Sequence, residues 1–82
     1  TASEKRHLSR VASLPCLICG AKPVHIHHVR RYGETRKHDQ VVPLCLNHHM
    51  GAEGIHTLGK KLWELRYMTQ DQMLTITAER LK

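Results

Sequence analysis

Apolar residues recur at helical spacing near the start of the chain. Leu8, Val11 and Ala12 fall on one stripe, which predicts an amphipathic helix over residues 4–14. Ser3 directly precedes this segment, and serine is a residue type whose side chain accepts hydrogen bonds from the first N–H groups of a helix. We therefore expect a helix capped by Ser3 to flank the rest of the domain.

Helical spacing returns in the last third of the chain. Over residues 57–68 the apolar positions lie three or four apart, at Leu58, Leu62, Trp63 and Leu65. Thr69 then has the character of an N-cap, which predicts a final helix after it. Residues 57–81 are thus expected to form a second helical flank.

The pattern between these flanks favours short strands. Residues 23–29 alternate and contain β-branched side chains, which predicts a first strand. Residues 40–43 form a second short apolar segment and predict a second strand. The polar and basic residues 30–39 between them are expected to form an exposed loop.

A helix is predicted to follow the second strand, over residues 44–50. Its continuation is opposed by Gly51 and Gly54, since each Gly costs about 1 kcal/mol relative to Ala in a helix interior. The predicted fold class is therefore α+β. Residues 1–82 are expected to form a single domain, because a chain of this length has no room for a second core.

The chain has few large side chains with which to build that core. Its 82 residues include one Trp, two Tyr and no Phe. A domain of this size buries only about 60% of the surface that its unfolded chain exposes, so its stability is marginal. Small domains of this kind usually need a disulfide or a bound metal in addition to their apolar core.

The charge of the chain favours a polyanionic partner. Lys and Arg together number 13 and Asp and Glu together 7, which gives a formal net charge of +6. Such an excess points to nucleic acid ahead of an anionic membrane surface. The longest apolar run, residues 41–46, is interrupted by Pro43, so no segment is expected to span or bind a membrane. No secretory signal is expected either.

Cysteine spacing predicts a structural zinc site. Cys16-x2-Cys19 is followed by Cys45-x2-His48, and zinc takes four tetrahedral nitrogen or sulfur ligands. His49 is the alternative fourth ligand, but the two-residue spacing favours His48. An odd number of cysteines fits a metal in a reducing cytoplasm better than a disulfide framework. The alternative is that Cys16 and Cys19 are small buried apolar residues.

Histidines form a second candidate site. His27 and His28 end the predicted first strand, and His49 lies in the predicted helix beside the zinc motif. A lone His on a strand is more often structural, whereas three at this junction favour a metal site. If the helix continues, residues four and seven positions after His49 share its face, so Glu53 or His56 is expected to complete the coordination. His56 has a phosphate contact or an inert surface position as alternatives.

The order of these motifs resembles a known nuclease family. Cys-x2-Cys, His-His at a strand end, and Val-Pro-Leu-Cys-x2-His-His over residues 42–49 look like the zinc-containing branch of the HNH (ββα-metal, His-Me finger) endonucleases. Within that branch the chain is most similar to phage and prophage domains of the Ref-like kind, over residues 14–63. The resemblance implies a β-hairpin and a helix that grip one catalytic divalent ion, with DNA as the substrate.

The same resemblance implies roles for individual residues. His27 and His49 match ligands of the catalytic metal, and His28 matches the general base that takes a proton from water. Gln40 stands near where the family usually has an Asn that orients the base, and Gln40 or Asp39 is expected to take that role. The products implied are 5′ phosphate and 3′ hydroxyl ends. Mg²⁺ prefers oxygen ligands and imidazole suits Mn²⁺, Ni²⁺ or Zn²⁺, so all four are candidate catalytic ions.

Four basic residues of the predicted loop are candidates for DNA binding: Arg30, Arg31, Arg36 and Lys37. A solvated loop is the alternative, but Arg can grip a phosphate through two parallel hydrogen bonds. Arg30 follows His28 by two residues and is expected to contact the scissile phosphate. No pattern predicts base-specific readout, so we expect weak sequence preference, with cutting directed by a targeting protein or a homodimer mate.

The competing interpretation is a non-catalytic zinc-knuckle module that binds nucleic acid or protein. Such a module needs only the predicted zinc ligands and leaves His27, His28 and His49 without a task. A purely structural adaptor is a third interpretation, which predicts no salt-dependent affinity for DNA.

Overall fold

A two-stranded antiparallel sheet lies at the centre of the fold. The computed structural model describes residues 1–29 and 40–82, and its strands are β1 (His25–His28) and β2 (Val41–Leu44). His28 lies opposite Val41 and His25 lies opposite Leu44. Every residue of β2 is buried, because helices from both ends of the chain pack against this strand.

Five helices surround the sheet, and together with it they form a small mixed α+β fold, as predicted. They are α1 (Ala2–Ala12), α2 (Leu46–His49), α3 (Ile55–Leu58), α4 (Lys60–Arg66) and α5 (Gln70–Arg80). The longest ones, α1 and α5, contact β2, whereas α2 and α3 contact each other beside the sheet.

The start of α1 differs from the prediction, because Thr1 and not Ser3 is the N-cap. The Thr1 hydroxyl accepts a hydrogen bond from the Glu4 backbone N–H, and the Glu4 carboxylate accepts one from the amino group of Thr1. This reciprocal pair of hydrogen bonds caps the first turn, so the helix begins at Ala2 and not at residue 4. The helix also ends at Ala12, two residues before the predicted end, with Val11 as its buried residue.

The strands are shorter than predicted or shifted by one residue. β1 begins at His25, whereas the alternation predicted a strand from Pro23. β2 covers Val41–Leu44, although the Gln40 carbonyl accepts a hydrogen bond from the Val29 N–H at 2.8 Å and continues the pairing by one step. The predicted loop over residues 30–39 lies outside the described residues.

A glycine divides the predicted helix 57–68 into two. Gly59 has φ of +86°, a conformation that L side chains rarely adopt, and it ends α3 and precedes α4. The break buries Trp63, which is 0% exposed, and leaves Leu65 82% exposed. Apolar spacing alone does not show such a break, because the stripe continues across it.

The N-cap predicted at Thr69 is confirmed. Its side chain accepts a hydrogen bond from the Gln72 N–H, and the Gln72 side chain accepts one from the Thr69 N–H. Met73 lies on the buried face of this helix and joins Trp63 and Leu44 in the core. None of the helices in residues 1–29 and 40–82 is long and apolar enough to cross a membrane.

Candidate metal centres

Three cysteines and one histidine meet at one end of the sheet. The ligand atoms of Cys16, Cys19, Cys45 and His48 all lie within 4.8 Å of one another. These are the four residues that the sequence predicts as zinc ligands, and His48 rather than His49 is the histidine in the group. The cluster is compatible with a structural metal such as zinc.

The first pair of cysteines lies on a tight turn. The Gly20 N–H donates to the Cys16 carbonyl at 2.9 Å, and Gly20 has φ of +76°, which lets the chain reverse directly after Cys19. The Leu17 N–H donates to the Pro43 carbonyl at 3.2 Å. This bond ties the turn to β2, which leads into the second pair of ligands.

The second pair lies where β2 passes into α2. Cys45 is the N-cap residue of α2, and His48 follows three positions later, so the two side chains point to the same side of the first turn. The His48 Nδ1 lies 3.2 Å from the Cys45 Sγ. The His48 ring packs edge-on against Tyr67 of the C-terminal half, with ring centroids 5.2 Å apart.

The separations between ligand atoms lie close to those of tetrahedral zinc. With Zn–S near 2.3 Å and Zn–N near 2.0–2.1 Å, a tetrahedral ion holds its ligand atoms roughly 3.5–3.8 Å apart. The Cys19 and Cys45 sulfurs, 3.6 Å apart, fall within this range. The His48 Nδ1 lies slightly farther from the Cys16 Sγ, at 3.9 Å, and closer to the Cys45 Sγ, at 3.2 Å. The donor set of three thiols and one imidazole is also typical of closed structural zinc sites.

Hydrogen bonding also prepares one of the sulfurs for metal binding. Burial raises the pKa of the Cys16 thiol, but backbone hydrogen bonds from Cys45, Cys19 and Ile18 outweigh burial and lower this pKa below its ordinary value. Zinc binds the thiolate form, so a lowered pKa reduces competition from protons at this ligand. At Cys19 the shift is opposite: a backbone hydrogen bond from Ala21 lowers the pKa, but burial and the neighbouring Cys45 and Cys16 thiols together raise it above its ordinary value.

Three histidines from three different elements form a second cluster. The ligand atoms of His27, His49 and His56 lie within 4.8 Å of one another. The Nε2 atoms of His49 and His56 are 3.1 Å apart. One ion bound by two adjacent imidazole nitrogens at about 2.0–2.1 Å holds them roughly 2.9–3.4 Å apart, so this separation fits a shared ion. His27 packs against both other rings, with centroids 5.2 and 5.3 Å away.

His56 reaches this cluster by a route that the sequence did not predict. The helix does not continue from residue 49 to residue 56, because α2 ends at His49 and α3 begins at Ile55. Gly54 lies in the intervening turn, and a Cβ there would come within 2.6 Å of the His49 carbonyl carbon. The missing side chain allows α3 to approach α2 closely enough to place His56 beside His49.

Glu53, the alternative to His56, lies elsewhere. Its carboxylate accepts a hydrogen bond from Arg66 at 2.7 Å. Its backbone carbonyl accepts one from the Trp63 indole N–H at 3.0 Å. Glu53 thus ties the turn to α4 and is not among the clustered ligand atoms.

The environment keeps two of the clustered histidines, His27 and His49, neutral. Burial, followed by the neighbouring His27, His56 and His25 rings, lowers the pKa of His49 to about 4. Burial also lowers the pKa of His27, although the hydrogen bond to Gln70 opposes that shift. Metals bind neutral imidazole, so both rings are in the form that a ligand needs near pH 7.

Two residues that sequence reasoning missed contact these ligands. The His27 Nε2 lies 2.9 Å from the Gln70 Oε1, and the His49 Nδ1 lies 3.0 Å from the His25 Nδ1. His25 and His27 are two positions apart on β1 and therefore face the same side of the sheet, which is a signal that the sequence did contain. Nothing in the sequence pattern links Gln70 to His27.

An open cleft of about 330 Å³ adjoins the histidine cluster. Its lining residues are His27, His28, Ile55, His56, Gly59, Lys60 and Gln70. The predicted base His28 therefore borders the same space as two of the clustered histidines. Gln40 is half-buried at the start of β2, and its backbone contact with Val29 is described above.

Several predicted DNA contacts cannot be placed, since they lie outside the described residues. They are Arg30, Arg31, Arg36 and Lys37. Asp39, the alternative to Gln40 for orienting the base, also lies outside the described residues.

A scan against models of known protein families finds no match to this chain, and a search of curated proteins finds none either.

Proposed function

We propose that this domain is a metal-dependent endonuclease of the HNH (ββα-metal) type that hydrolyses DNA phosphodiester bonds. The observation that carries the proposal is the pair of clusters. A Cys3His group of structural character lies next to a group of three histidines that opens onto a cleft. In this proposal zinc occupies the first group and a catalytic divalent ion the second, as the motif order of the HNH nucleases implies.

The ligand sets support different roles for the two centres. Structural zinc sites are closed by four protein ligands, whereas catalytic sites have fewer and leave positions for water or substrate. His27, His49 and His56 supply three nitrogens, and His56 is exposed at the cleft. These residues would hold an ion that would supply positive charge to offset the negative charge developing on the phosphoryl group and on the departing 3′ oxygen.

The remaining groups at the cleft suit hydrolysis of a phosphodiester. We assign His28 as the general base, which takes a proton from the attacking water. Lys60 lines the same cleft and carries a positive charge that attracts a phosphate. Arg30, Arg31, Arg36 and Lys37 are proposed to hold the DNA backbone near the ion, in keeping with the net charge of +6.

Imidazole ligands narrow the choice of catalytic ion. Mg²⁺ prefers oxygen ligands, and three histidine nitrogens suit borderline metals such as Ni²⁺ or Zn²⁺ better. Mn²⁺ also prefers oxygen ligands but accepts imidazole more readily than Mg²⁺ does. We therefore expect higher activity with Mn²⁺ or Ni²⁺ than with Mg²⁺ at equal concentration.

A plasmid-nicking assay tests the proposal. The zinc-loaded domain is incubated with supercoiled plasmid and added Mn²⁺, beside a His28→Ala variant and a His7→Ala control, since His7 on α1 belongs to neither cluster. We expect the wild type and the control to nick the plasmid. His28→Ala should be slower by about 10²–10⁴-fold, the usual contribution of a positioned general base.

The outcomes separate the two candidate functions. A wild type that binds zinc and DNA but cuts with none of Mg²⁺, Mn²⁺, Ni²⁺ or Zn²⁺ contradicts the nuclease. It supports instead the non-catalytic zinc-knuckle module, which the Cys3His cluster and the positive charge also favour. Equal nicking rates for wild type and His28→Ala would be consistent with the nuclease but would contradict the assignment of His28 as its general base.

A further inference from the structure

Gln70 is a buried polar residue that contacts a proposed metal ligand. It is 7% exposed, and its side-chain Oε1 lies 2.9 Å from the Nε2 of His27, which is 6% exposed. A buried amide without a partner costs free energy, so this pairing is expected to persist in solution. The two residues are far apart in sequence, and α5 brings Gln70 to the end of β1.

The chemistry of this contact fixes the proton on His27. An amide oxygen only accepts hydrogen bonds, so the His27 Nε2 must carry a hydrogen and donate it. A neutral imidazole has one N–H, which leaves the lone pair on Nδ1 as the one that can bind an ion. The ring is also held at a fixed rotation about its Cβ–Cγ bond by the same contact.

Gln70 is itself held in place by its neighbours. It is the first residue of α5 after the N-cap Thr69, and its backbone N–H donates to the Glu64 carboxylate at 2.6 Å. Glu64 belongs to α4, so two helices fix the backbone position from which the Gln70 side chain extends. A buried acceptor held this firmly can define the orientation of the ring that donates to it.

We infer that Gln70 is a positioning residue for the histidine metal site, through which the C-terminal helix holds His27 in the tautomer and orientation that bind the ion. This inference rests on the proposed function, since it requires a metal at His27, His49 and His56. Partners of this kind on ligating histidines are typically worth about 10–100-fold in metal affinity. Gln70 does not enter the reaction itself.

The test compares three variants by metal affinity. Calorimetric titration of the zinc-loaded protein with Mn²⁺ or Ni²⁺ measures the second site, in wild type, Gln70→Leu and Gln70→Glu. The Leu side chain is similar in size to Gln but has no oxygen to accept the hydrogen bond from His27, whereas the Glu side chain keeps such an oxygen. We expect Gln70→Leu to weaken binding by about 10–100-fold and Gln70→Glu to stay close to wild type.

Gln72→Leu is the matched control, because it removes a capping hydrogen bond from the same helix end without touching His27. It should leave the affinity of the second site within about threefold of wild type, while one zinc per chain remains in every variant. A loss in Gln72→Leu equal to that in Gln70→Leu would show a general effect of the helix end and overturn the inference.

Nitrogen-15 NMR of the histidine rings gives a readout that does not depend on metal or activity. In zinc-loaded wild type without a second ion, His27 should carry its proton on Nε2, and Gln70→Leu should shift the ring toward a mixture of tautomers. A proton on Nδ1 in the wild type overturns the inference, as does wild-type affinity in Gln70→Leu. A wild type that binds no second ion overturns both the proposed catalytic site and this inference. A wild type that binds the ion while Gln70→Leu keeps the same affinity overturns the inference alone.

Discussion

The two clusters use neighbouring residues to build centres of opposite character. Cys16, Cys45 and His48 are buried and Cys19 is exposed, and all four ligand atoms come from two short turns that close around one point. The histidine centre takes its ligands from β1, α2 and α3, and its burial falls from His27 to the exposed His56. A closed centre of this kind stabilises the fold, whereas an open one keeps room for a ligand.

Removal of each ion in turn gives the sharpest contrast and the largest expected effect. Cys45→Ser should lose zinc and with it most helical structure, because zinc contributes on the order of 10–16 kcal/mol of apparent folding free energy in small domains. His49→Asn is the matched variant and should keep one zinc and its helices while it loses the second ion. Far-UV circular dichroism and metal analysis measure both. A Cys45→Ser protein with wild-type helix content and a cooperative thermal transition would contradict the structural role of the sulfur-rich centre.

An intermediate effect is expected from the turn between α2 and α3, which joins two ligands of the histidine centre, His49 and His56. In Gly54→Ala the new Cβ would lie 2.6 Å from the His49 carbonyl carbon and from the Met50 nitrogen, so the turn must shift. We expect a loss of about 1–3 kcal/mol in the free energy of unfolding, typical of overpacking. Affinity for the second ion should fall as His56 moves, with zinc retained. Ala52→Ser, at an exposed position of the same turn, is the control and should match wild type in both stability and affinity for the second ion. Wild-type stability and affinity in Gly54→Ala would show that the turn can accommodate a Cβ at this position.

The last contrast concerns the protons on His49. Its pKa is about 4 in the folded protein and near the ordinary 6.5 when unfolded, so the unfolded chain binds the proton more tightly. The resulting stabilisation is complete above about pH 6.5 and is lost as the pH falls toward 4. NMR without a second ion should show a neutral His49 ring in the folded protein from about pH 8 to about pH 5, and a midpoint near 6.5 in urea. A folded-state midpoint near 6.5 would disprove the desolvation of this site.

Local chemistry made much of the two ligand sets predictable. The spacing of Cys16, Cys19, Cys45 and His48 follows from zinc coordination by short turns, and the structure brings these side chains together. The final helix was predicted from Thr69 because a capping side chain acts within one turn of its own position. Such signals depend on residues close in sequence, so a single sequence contains them.

Signals that depend on distant contacts were not predictable in the same way. His56 was one of two alternatives, but the reason given for it, a continuous helix, is wrong, since Gly54 and the turn before it bring His56 to His49. No sequence pattern predicted the role of Gln70, because its partner His27 is distant in sequence and comes into contact with it only when α5 packs against the sheet. The positive φ of Gly59 decides where α3 ends and α4 begins, although the apolar stripe continues across that position.

The single turn of α2 carries one ligand for each centre, His48 for the sulfur-rich one and His49 for the other. Successive residues of a helix project about 100° apart, so this turn directs two adjacent rings to two different clusters. In the proposed enzyme the order of metal loading follows from that arrangement. A chain without its zinc has no ordered turn to present His49, and its apparent affinity for the second ion falls in proportion to the folded fraction.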